Sequence, residues 1–165
     1  MRRELGVRNC RVNDAIASAN GYEDDYEWCC SSVGFFERFV SPDGYAAVVL
    51  EDNGRVAYAY LLDATGAICG DVWLYNRCPA PLEPEWGDCD RAPYANPIAF
   101  VDQAMAFSLP DSAADIVVEW SQRGCDLVAC IFLSQTLLAK LMQGSKPGWS
   151  RLAVKDGPLA LKLEG

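Results

Sequence analysis

Four runs rich in β-branched and aromatic residues follow one another with almost nothing between them. They are "GFFERFV", "YAAVVLE", "RVAYAYLLD" and "AICGDVWLYN", separated by "SPDG", "DNG" and "ATG". Each separator carries a turn mechanism: Pro42 pre-sets a turn φ, and Gly44, Gly54 and Gly66 accept positive φ. Connections this short leave no room for a crossover, so consecutive strands must be antiparallel neighbours. The spacing predicts a four-stranded meander over about 34–76. Its third run is apolar almost throughout, as a central strand covered on both faces would be.

Around this block the periods change. "RVNDAIASAN" places Val12, Ala15, Ile16 and Ala19 on one helical face, with Asn20-Gly21 as its stop. Asn96-Pro97 reads as an N-cap followed by proline at the first helical position, opening a helix over "IAFVDQAMAF" that buries Ile98, Val101, Ala104 and Met105. Ser112 and Asp115 resemble a capping box, with Ala113, Ile116, Val117 and Trp120 as the stripe behind it and Gly124 as the stop. "DIVVEW" also fits a strand, and the two readings stay open. "CDLVACIFL" reads as a buried strand. Ser134 reads as the cap of a helix over "QTLLAKLMQ" with Leu137, Leu138, Leu141 and Met142 on one face, and the tail alternates at Leu159, Leu161 and Leu163. The expected class is α+β: the meander packed with three or four helices and a mixed C-terminal strand region, in a single domain spanning 1–165.

The chain has no histidine, which removes Ser-His-Asp and Cys-His nucleophilic sites and histidine-bearing zinc sites. No GxGxxG follows a strand and no GxxxxGK[ST] occurs, so neither a dinucleotide nor a P-loop cofactor is indicated. The eight cysteines show no CxxC pair, and Cys29 and Cys30 are adjacent, a poor geometry for bridging each other. Cys69, Cys125 and Cys130 sit in apolar runs and read as reduced, structural thiols. A zinc site assembled from four distant cysteines stays open, as does a reactive thiol at Cys29-Cys30. No catalytic, cofactor-binding or metal-ligating residue is assigned. With no apolar run near the roughly 18 residues of a membrane span and no export-type h-region at the start, the expected location is the cytoplasm.

Residues 51–120 hold twelve acids against three bases, which equals the whole net charge of −9. Such a chain repels nucleic acid and anionic membranes and suits basic partners. The acids concentrate in the long connection after the meander, "RCPAPLEPEWGDCDRAPYAN", residues 77–96. Pro79, Pro81 and Pro84 stiffen it, and Trp86 and Tyr94 offer rigid contact area of the kind found at interface centres. Glu83, Glu85, Asp88 and Asp90 surround them with negative potential. The six residues Glu83, Glu85, Trp86, Asp88, Asp90 and Tyr94 are the candidate partner-binding set. The competing reading has Trp86 folded back over the meander and the acids only solvated.

The "LEPEWGDCD" loop, the acidic "EDDYEW" patch and the "GSKPGWSRLAVKDGPLALKL" tail, in a small acidic chain without histidine, resemble the immunity proteins of bacterial toxin–immunity systems, those of polymorphic, contact-dependent or type VI secreted toxins. The resemblance implies a protein that binds a cognate toxin, or another basic protein, and covers its active site. For a nuclease toxin it implies an acidic inhibitor that mimics nucleic acid. Two other classes remain: a small cytosolic enzyme working through paired carboxylates or a cysteine, and a structural interaction module of a larger complex. No feature of the chain specifies an oligomeric state.

Overall fold

The computed structural model describes residues 34–105 and 107–164. The helix expected over residues 12–19, the acidic patch at 23–28 and the Cys29-Cys30 pair lie outside the described residues. Within them the chain is built from strands: β1 (Phe35–Val40), β2 (Ala47–Asp52), β3 (Val56–Leu62), β4 (Ile68–Asn76), β5 (Ile116–Arg123), β6 (Asp126–Leu133), β7 (Thr136–Met142), β8 (Trp149–Ser150) and β9 (Leu161–Lys162). They form a four-stranded sheet ordered β1-β2-β3-β4 and a five-stranded sheet ordered β5-β6-β7-β8-β9.

The first sheet is an antiparallel meander, and its turns use the residues the sequence offers. Gly44, Gly54 and Gly66 all take positive φ. Acidic side chains brace the turns from within. Asp43 accepts hydrogen bonds from the Ser41 hydroxyl and the Tyr45 amide. Asp63 accepts them from the Thr65 amide, the Thr65 hydroxyl and the Ala67 amide. These donors hold both carboxyls below their ordinary range, with the side-chain hydroxyl as the largest cause in each case.

The α+β expectation is overturned: among the described residues the helical segments are three 3-10 turns of three residues each, Cys89–Arg91, Ile98–Phe100 and Ala113–Asp115. After Pro97 a single turn forms, then Val101 pairs in an isolated bridge with Ala153. The Asp102 amide donates to the Leu152 carbonyl at 2.8 Å. The backbone at 152–154 thus captures the segment that was read as a helix. The Ser112/Asp115 capping box is present, but it caps only the short turn, and Ile116 continues as strand. The apolar stripe fits the alternation Ile116, Val118, Trp120, with Val117 and Glu119 turned outward.

The helix read over "QTLLAKLMQ" is strand β7. Its Leu, Ala, Lys and Met favour helices in isolation, yet β7 lies between β6 and β8 with both faces covered, and pairing in that setting overrides propensity. Ser134, read as a helix cap, instead forms with Gln135 a two-residue hairpin in which both take positive φ, 48° and 69°. This is the twist a tight hairpin requires, reached here without glycine or asparagine. The C-terminal region supplies β8, antiparallel to β7, and β9, parallel to β8.

Cross-strand partners share a face, so the registers assign each sheet an inner side. On the first sheet Phe35, Phe39, Val48, Leu50, Ala57, Ala59, Leu61, Val72 and Tyr75 lie on one face. On the second, Ile116, Val118, Trp120, Ala129, Ile131, Leu133, Ala139 and Leu141 do. These two sets make up most of one continuous core. The sheets also join along β4. The Asp71 amide donates to the Ser145 carbonyl, the Gly148 amide to the Asp71 carbonyl, and the Trp73 amide to the Leu159 carbonyl.

At one end of the core sits a buried charge. Asp52 accepts hydrogen bonds from the Tyr75 hydroxyl at 2.8 Å, Arg77 Nε at 2.6 Å and the Gly54 amide at 2.9 Å. The side chains of Arg77 and Asp52 are 6% and 1% exposed. Arg77 also donates to the Pro110 carbonyl at 2.6 Å, tying the approach to β5 to the first sheet. Removing one partner of such a pair strands the other charge. Asp52→Asn is therefore expected to lower unfolding free energy by about 3 kcal/mol in urea titrations. A loss below about 1 kcal/mol would mean that the site admits water and the pair is not structural.

Asp63 gives a second test. Its folded pKa lies below the ordinary 3.8, so its stabilisation is present above the unfolded value and is lost as pH falls through the folded one. Carboxyl NMR titration should place its midpoint below 3.8, and Thr65→Ala should raise that midpoint. An unchanged midpoint in the variant would remove the hydroxyl as its cause.

Candidate functional site

The long connection after β4 is closed at its neck. Asn76 Nδ2 donates to the Asn96 carbonyl at 2.8 Å, and the Asn96 amide returns a bond to Asn76 Oδ1 at 2.9 Å. Trp73 Nε1 donates to the same Asn76 oxygen at 2.8 Å. Just inside this staple the Ile98 amide donates to the Pro81 carbonyl, and the amides of Arg77 and Cys78 both donate to the Arg55 carbonyl. Twenty residues therefore leave and rejoin the sheet at nearly one point.

Arg55, at the β2–β3 turn, organises the interior of the loop. Its guanidinium donates to the Arg91 and Pro93 carbonyls at 3.4 and 3.1 Å and forms an ion pair with Glu85. Glu85 also pairs with Arg91 at 3.3 Å and accepts from the Ala95 amide at 3.3 Å. The Tyr58 hydroxyl donates to the Tyr94 carbonyl at 2.7 Å. Burial pushes the Tyr58 phenol well above its usual pKa, so it acts here as a neutral donor.

The six candidate residues divide. Glu83, Asp88 and Asp90 are exposed. Glu85, with a side chain only 10% exposed, points inward to its two arginines. Trp86 is half-buried, its ring edge-on to Phe100 with centroids 6.0 Å apart, and Lys155 lies over the other partner of that contact, 4.3 Å from the Phe100 centroid. Tyr94 is half-buried, its hydroxyl beside Cys89 and Asp88 of the same loop. Asp88 accepts from the Asp90 amide and caps the turn Cys89–Arg91. With Asp90, Asn53, Arg55 and Arg91 it borders an open cleft of about 380 Å³. The fold thus brings three carboxylates to the outside of the loop and turns its shielded carboxylate and Trp86 toward the body.

Two features were missed in the sequence. Arg55 sits in a turn signal, where it entered only as one of the three bases of residues 51–120. Its role depends on a partner thirty residues away, and no local pattern encodes that. The reciprocal Asn76–Asn96 pair has the same character. By contrast, the outer face of the meander was accessible to alternation arguments. Tyr58, Tyr60 and Leu62 share a side, and the register sets Glu51 opposite Tyr58 and Asp71 opposite Tyr60.

Cys69, Cys89, Cys125 and Cys130 carry free thiols. Burial pushes the thiols of Cys69 and Cys130 up, away from the reactive thiolate. Among the described residues no three cysteine or carboxylate side chains converge as a metal site would require. Likewise, no helix there is long and apolar enough to cross a membrane.

Comparison with protein-family models, with curated proteins and with solved structures finds no match to this chain. The loop's role is therefore argued from its own chemistry, beginning with what holds it. Glu85→Gln removes the negative charge shared by Arg55 and Arg91 and leaves a single acceptor oxygen for them and the Ala95 amide. Hydrogen exchange at the Ala95 amide should accelerate by at least about tenfold, because a buried arginine loses its counter-charge. Asp90→Asn, on the exposed side, should leave that rate unchanged. Equal rates in both variants would mean that the loop is held by its neck alone.

Proposed function

We propose that the protein is a binding module of the immunity type, acting in the cytoplasm, which covers and inhibits a basic bacterial toxin through the loop at 77–96. The observation that carries this reading is the division within the loop. Glu85 and Trp86 brace it from inside, so Glu83, Asp88 and Asp90 are presented on a surface already in shape. A preorganised loop loses little entropy on binding. Outward carboxylates on it attract a basic surface from a distance and set the encounter orientation. The same charges repel phosphates, so the partner is a protein and not a nucleic acid.

Paired-carboxylate hydrolysis is less well supported. That chemistry needs two carboxyls facing one substrate in contrasting environments. Glu85, the shielded carboxylate of the loop, is neutralised by two arginines, while Glu83 and Asp90 stand in solvent.

The test uses the toxin that co-purifies from the native host. The triple variant Glu83→Gln, Asp88→Asn, Asp90→Asn should associate about tenfold more slowly at low salt, with a flatter salt dependence and nearly the parental dissociation rate. Trp86→Ala should weaken binding by about 2 kcal/mol, chiefly through faster dissociation, since Trp86 holds the loop in its binding shape. If the triple variant is folded and associates at the parental rate, the loop is not the recognition surface.

A further inference from the structure

The outer face of the first sheet departs from what an antiparallel sheet normally shows to water. Such a face is ordinarily polar. Here the register places the exposed Phe36 and Val40 and the half-buried Tyr60 and Leu62 on it, beside the buried Ala47, Val49 and Tyr58. Phe36 is 69% exposed and Val40 49%. Tyr58 and Tyr60 stack with ring centroids 6.1 Å apart and planes 12° from parallel. The strands on either side each supply a carboxylate: Asp71 of β4 lies opposite Tyr60, and Glu51 of β2 lies opposite Tyr58. Among the described residues neither carboxylate is in a salt bridge. Two bases stand nearby without closing on them. Lys146 donates to the Ile68 carbonyl at 2.9 Å. Arg38 lies on the same face at the far end of the Asp71 row, on β1, about 14 Å from β4 at normal strand spacing.

We propose that this face seats an arginine side chain of the basic protein partner, its guanidinium stacked on Tyr60 between the carboxylates of Glu51 and Asp71. A planar, weakly hydrated guanidinium stacks on aromatic faces and forks to carboxylates, and an ammonium does neither as well. Burial raises the Asp71 carboxyl and, with Glu51 and Asp71 beside it, lifts the Tyr60 phenol to about 12. A cation placed among them reverses both effects. The face is continuous with the acidic loop, because Tyr58 donates to the Tyr94 carbonyl. Four short strands span only about 400 Å², part of it already buried, so the open patch is less than half of what each partner gives to a stable interface. That is too little for a second copy of this chain to hold alone, and enough for one arm of a larger contact. The inference rests on the reading of a basic protein partner and adds the chemistry of a second contact.

The test needs no toxin. Nitrogen-15-labelled protein is titrated with a capped peptide of alternating arginine and glycine, and with its lysine counterpart of equal charge. Shift changes should centre on Glu51, Tyr60 and Asp71, and the arginine peptide should bind about threefold to fivefold more tightly. Tyr60→Leu and, independently, the conservative Asp71→Asn should each weaken it by about fivefold. The Glu83/Asp88/Asp90 amide variant should still bind the peptide at this face. Shifts confined to the 77–96 loop, or equal affinities for the two peptides with no response to either face variant, would overturn the proposal. So would a concentration-dependent dimer, seen in sedimentation, that excludes the peptide. If the peptide binds as described while toxin association ignores the loop acids, the loop reading fails and the face stands.

Discussion

The rest of the structure depends on one buried carboxylate. Asp52 ends β2 inside the core, where an unpaired charge would be prohibitive. Its neighbours answer with three donors: a tyrosine hydroxyl, a guanidinium and a turn amide. Each fixes a different part of the chain. Tyr75 is on β4, Gly54 sets the β2–β3 turn, and Arg77 opens the long loop while reaching the Pro110 carbonyl ahead of β5. A hydrophobic substitute could fill the same space, but it would not demand this register among four segments. Buried ion pairs are weak evidence for stability and better evidence for geometric uniqueness, and here the geometry fixed is where the loop starts.

The second constraint is closure along β4. The strand would otherwise end the meander with a row of unpaired amides and carbonyls, which invites other strands. Instead the segment at 145–148 and Leu159 bond to it, drawing the second sheet across one face of the first. Gly148 is required at this crossing, since a Cβ there would stand 2.6 Å from the Lys140 carbonyl oxygen. Because the cover folds to one side, the other side of the meander keeps Phe36 exposed and Tyr60 half-exposed, while Tyr58 is buried under the loop it bonds. The exposed apolar face therefore follows from how the β4 edge was covered.

The meander was legible because its signals are local. Turn glycines, a proline and period-two runs each act within a few residues, and short links leave one topology. The helices expected after it were misread because the competing information is distant. Ser112 and Asp115 do form a capping box, yet Ile116 finds Leu133 across a strand pair. "QTLLAKLMQ" has the residues of a helix, but β6 and β8 lie on both sides of it. The Asn96-Pro97 start was similarly lost: Asn96 is bound through its backbone to Asn76, and the chain beyond is captured by residues 152–154. In the candidate site, the acidity of the loop could be read directly. Which acids would face outward could not, because that depends on Arg55.

Counting charge along a chain overstates what a partner meets. Of the twelve acids in residues 51–120, Asp52 is sealed in the core and Glu85 is neutralised inside the loop. Asp63 and Asp115 hold turns together through their carboxylates. The potential that remains is carried in part by two groups, Glu83, Asp90 and the Arg91-paired Asp88 on the loop, and Glu51 and Asp71 on the adjoining sheet face. The aromatics are redistributed as well. Trp86 and Tyr94, which read as the centre of an interface, are half-buried, while Phe36 and Tyr60 lie on the outer sheet face. A recognition surface needs both long-range charge and a desolvated aromatic centre. In the reading proposed for this protein the loop supplies the first and the meander the second, and the Tyr58–Tyr94 hydrogen bond keeps the two in fixed relation.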